Sequence, residues 1–157
     1  MSKESTRLGL RPEALLLALQ VDLECFQPSE HLQRPYAMVG MNVIAAETDG
    51  AARRLFTSAQ QQFTNMARGT RGQLPAPMDD IERYWSAAEK EQVARMLACS
   101  FVGSPETVRA GLERFLERTG ADEVIVASAI HEHAARLRSY ELLASLQAGD
   151  GRATSPQ

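Results

Sequence analysis

The chain has 157 residues, with 17 Lys plus Arg against 20 Asp plus Glu and a formal charge of −3. That length suits one domain, and 44% hydrophobic with 24% charged residues supplies a core, which argues against wholesale disorder. A mildly acidic balance without basic blocks argues against nucleic acid as a partner, and no apolar run approaches the roughly 20 residues of a membrane span.

Met1 to Arg11 are polar, carry no period and read as a flexible arm. A helix is predicted from Pro12, which suits a first helical position, to Phe26, with Leu15, Leu16, Leu19, Leu23 and Phe26 along one face. Gln27 to Pro35 is a connector. Tyr36 to Ala46 is apolar almost throughout, the pattern of a strand covered on both faces in a parallel, helix-covered sheet. Thr48 and Asp49 then supply helix-start chemistry, and Ala52, Leu55, Phe56, Ala59, Phe63 and Met66 recur at helical spacing until Gly69.

Thr70 to Asp80, with a glycine, two prolines and paired acids, reads as a long loop or mobile excursion. Ser86 and Glu89 have capping-box spacing and open a helix in which Val93, Met96 and Leu97 face inward. A short apolar segment, Cys99 to Val102, runs into Gly103, Ser104, Pro105 and Glu106, a dense helix-start signal. The helix that follows buries Val108, Leu112, Phe115 and Leu116 and ends at Gly120. Glu123 to Ser128 is a further buried strand, His131 to Gln147 a last helix, and Gly149 to Gln157 a small, polar tail expected to be disordered. Successive strand-to-helix units make the fold class α/β.

Cys25 and Cys99 have no CxxC spacing and sit in or beside apolar runs, so both read as buried thiols of a reducing, cytoplasmic compartment. Lys3, Arg7 and Arg11 before Ala14 to Val21 imitate a signal peptide, but Asp22 and Glu24 stand where small cleavage-site residues belong.

The segments GSPETVRAGLERFLERTGADEVIVAS and HAARLRSYELLA, preceded by RPYAMVGMNVIAAETDGAARRLF, resemble the C-terminal part of the bacterial luciferase-like, flavin-dependent monooxygenases. The resemblance runs from about Ala14 to Ala144 and also includes the LPAPMDD loop. It implies a (β/α)8 TIM barrel that binds reduced FMN, or F420 as in related barrels, at its C-terminal face and oxidises an organic substrate with O2. A barrel takes about 250 residues and roughly 200 at the least, so this chain corresponds to a partial barrel, the last strand-helix units only, over residues 12–148. Such a piece is expected to be inactive alone, because the strands that supply most flavin contacts in the family have no counterpart here. Its exposed sheet edges would seek a second copy or a complementary chain, which leaves a non-catalytic interaction module or half of a split enzyme as the alternative.

No catalytic or cofactor-binding residue stands out from the sequence. Gly103 to Glu106 offers a helix N-terminus for an anion, but Glu106 puts a negative charge where phosphate would sit, and capping is the simpler role. His131 and His133 flank Glu132 at a spacing that splits them around a helix, and His31 is remote, so no metal site is expected. Ser128 ends its strand and reads as a turn or cap residue. Asp79 and Asp80 read as solvated acids, and Tyr84 and Trp85 as packing beneath the excursion.

Overall fold

The computed structural model describes residues 17–19, 21 and 24–148. The arm 1–11, the tail 149–157 and the helix positions Leu15, Leu16 and Leu23 lie outside the described residues. Residues 17–19, 21, 24 and 25 are helical; Leu19 is buried as the helical period requires, whereas Leu17 and Val21 are exposed.

Strand β1 (Met38–Ala45) leads to helix α1 (Asp49–Ala67), whose first turn is capped by the Thr48 side chain accepting the Ala51 amide. A 3-10 turn (Ile81–Arg83) precedes α2 (Ala87–Met96), where Ser86 and Glu89 form the reciprocal capping box that their spacing predicts. Strand β2 (Ser100–Gly103) passes through the Ser104 cap into α3 (Pro105–Thr119). Gly120 ends α3 at φ 61°, the left-handed conformation that only glycine adopts without cost. Strand β3 (Glu123–Ala127) and helix α4 (His133–Ala148) follow.

All strand pairings are parallel, and β1 lies in the middle, in the order β2-β1-β3. β3 pairs with the first part of β1, from Met38↔Glu123 to Asn42↔Ala127, whereas β2 pairs only with its end, from Asn42↔Ser100 to Ala45↔Gly103. Successive barrel strands lie side by side in chain order. Here β1 instead separates β2 from β3.

The two faces of the sheet explain the difference. Register and alternation put Val39, Met41, Val43 and Ala45 on one face with Phe101, Val124 and Val126, covered by Val108, Leu112 and Phe115 of α3 and by Leu142, Leu143 and Leu146 of α4. On the other face, α1 reaches only the carboxyl end, where Ile44, Ala46, Ala52 and Ile130 pack with Leu55, Phe56 and Val102. Helices α3 and α4 thus cover one face, α3 against β2 and β1 and α4 against β1, while α1, the loop after it and α2 form an insertion at the carboxyl end of the other face, with β2 at the edge of the same sheet.

β1 is covered on both faces only at its carboxyl end. Ile44 is fully buried, but Met38 is 50% and Ile125 53% exposed, and Gly40 between them is open to solvent. Tyr36 extends this bare strip, its hydroxyl donating to Glu123 Oε2 at 2.7 Å, and that bond raises the Tyr36 pKa. Three other expectations fail for want of a neighbour among the described residues: Met66 and Leu116 follow the helical period but are exposed, and Cys25 is exposed rather than buried.

Candidate functional site at the carboxyl ends of the strands

Helix α3 begins where β2 ends, so its N-terminal amides converge on the carboxyl edge of the sheet. The Ser104 amide there donates to Asp49 Oδ1 at 2.7 Å. This hydrogen bond, with a second from the Thr107 side chain, holds the Asp49 carboxyl below its usual pKa. Close approach requires Gly103: a Cβ at that position would lie 2.8 Å from Asp49 Oδ1 and 2.6 Å from Thr107 Cγ2. The anion that the helix start attracts is therefore a carboxylate of the chain itself, which leaves the Gly103–Glu106 turn as a cap and an interhelix tie.

The loop from 70 to 80 is not the loose excursion expected. Buried polar side chains of α1 fasten it along the helix: Thr57 Oγ1 accepts the Met78 amide at 2.9 Å, and Gln61 Nε2 donates to the Ala76 carbonyl at 2.9 Å. Arg54 Nε lies 2.6 Å from Asp79 Oδ1, and His131 Nδ1 is 2.8 Å from the Leu74 carbonyl oxygen. Further along, the Tyr84 hydroxyl donates to Asn65 Oδ1 at 2.7 Å, and the Arg68 guanidinium sits 5.0 Å from the Tyr84 ring centroid. Sequence reading misses this strap. Its signal is the Thr57, Gln61, Thr64 stripe, polar residues at spacings of four and three on a helix whose other positions supply the core.

The remaining candidates are dispersed. Ser128 is buried, donates to the Val43 carbonyl at 2.7 Å and has its amide on the Tyr140 hydroxyl, a splice between β1, β3 and α4. His133 is paired with Arg136, His31 is exposed, and no metal-binding cluster exists among the described residues. Asp79 and Asp80 diverge, the first to Arg54 and the second to Arg83 and the Glu82 amide. Tyr84 and Trp85 are half-buried, as expected of packing groups, but Trp85 also borders a cavity of about 250 Å³ with Phe56, Val93 and Leu97. A second cavity of about 590 Å³ lies between α1, the strap and β2, lined by Arg53, Arg54, Phe56, Met78 and Val102. Both belong to the insertion side of the sheet, since Ser100 and Val102 share the face of Asn42 and Ile44. Asn42 accepts the Ala129 amide through Oδ1, while its Nδ2 is buried without a partner among the described residues.

A chain with two strand-helix units on one side and an insertion at the carboxyl ends on the other has relatives. Over 131 residues, 83% of its length, it is 44% identical to the "Luciferase-like monooxygenase" of Escherichia coli, covering 39% of that protein. It is similar to part of a protein of that name. Identity is also 44% to YvbT of Bacillus subtilis, over 86% of this chain and 40% of that one. In the crystal structure of apo-MsnO8, 90% of this chain superposes on 43% of that chain with a TM-score of 0.75 at 28% identity. The chain thus spans about two fifths of the length of the curated relatives it matches. No protein-family model matches it, and no helix among the described residues is long and apolar enough to cross a membrane.

Proposed function

We propose that residues 12–148 are the closing, C-terminal portion of a luciferase-like FMN-dependent monooxygenase barrel, contributing its last two strand-helix units and a wall of the substrate site. The observation that carries this reading is the bare strip of Tyr36, Met38, Gly40 and Ile125 on the face opposite α3 and α4. In a barrel that face is the interior, filled by side chains from neighbouring strands. The insertion follows the carboxyl end of β1, the end at which barrel enzymes build their active sites.

FMN supplies the reaction with O2 in this reading, but the start of α3 does not fit its phosphate. That helix start is already held by Asp49. We therefore place the flavin contacts in the rest of the barrel, and the chain alone does not turn over. Its own part is to orient an organic substrate, close the ring and keep water out. Free Cys25 and Cys99 fit a reducing, cytoplasmic setting.

A chimera tests the function: this chain replaces the matching part of the E. coli relative, with the parent assayed in parallel. Retained solubility, bound FMN and oxygen uptake with reduced FMN are expected. A parent that binds flavin and a folded chimera that does not would overturn the reading.

A further inference from the structure

We draw no further inference here: the strongest candidate, the Asn42 amide nitrogen that is buried without a partner among the described residues on the sheet face bearing the bare strip of Met38, Gly40 and Ile125, belongs to the barrel interior already described, and nothing in the structure shows what covers it.

Discussion

The Asp49 carboxylate receives the Ser104 amide at 2.7 Å, so the first residue of α1 sits on the N-terminus of α3, 55 positions away. A carboxylate at a helix start is favoured by the unpaired amides and by the helix dipole. The tie fixes the insertion to the carboxyl end of the sheet and takes the position a phosphate would need.

Replacing Asp49 by Ala is expected to lower the urea midpoint, because the Ser104 amide loses its acceptor. The variant should also regain stability in millimolar phosphate, which the parent chain should ignore. Urea unfolding with and without phosphate reads both effects, and equal phosphate responses would contradict the self-occupied site.

The capping box of Ser86 with Glu89, the Ser104 cap and the Gly120 stop are legible in sequence because each partner lies within four positions of the other. The bond between Asp49 and Ser104, and the bonds from Thr57 to Met78 and Gln61 to Ala76, are not, since their partners are separated by 15 to 55 positions and only the fold brings them together. Met66 and Leu116 show the converse: the period places them inward, but no neighbour covers them. Strand order is hidden for the same reason, as the four residues of β2 carry no sign of which edge of β1 they join. Of the candidate site, the sequence exposes the helix start at Gly103 but not its occupant, and the loop but not its fastening.

Thr57→Val should loosen the strap. It removes the acceptor of the Met78 amide without changing shape, and an orphaned donor costs about 1–3 kcal/mol where it is buried. Faster amide exchange at Met78, with limited proteolysis between 70 and 80, is the expected readout. Unchanged exchange would mean that Thr57 does not hold the loop.

Glu89 is held at about 2, first by the Arg68 guanidinium and then by the Ser86 amide and hydroxyl. Its folded pKa lies below the unfolded value of about 4.3. The contribution to stability is therefore complete above that unfolded value and is lost as pH falls through the folded one. Glu89→Gln is expected to lower the urea midpoint at neutral pH and to flatten the decline on acidification. Parallel pH profiles for the two proteins would rule out this ion pair as a source of acid sensitivity.

Ile125→Ser changes an exposed side chain on the bare face, so the stability of the isolated chain should move by no more than about 0.5 kcal/mol. Self-association should weaken, as apolar surface is removed from the face that seeks a cover. Sedimentation velocity on both proteins reads the association and urea unfolding the stability, and a loss of several kcal/mol would show that Ile125 is already part of a closed core.

The proposed barrel has the face bearing Met38, Gly40 and Ile125 on its inside and draws its other strands from the remainder of the fold. The most direct measurement is hydrogen exchange on this chain, alone and co-expressed with the part of the E. coli relative that it does not match. A one-to-one complex with slowed exchange in Met38–Met41 and Glu123–Ala127 is the predicted result. A complex that leaves those strand amides as fast as in the isolated chain would contradict it.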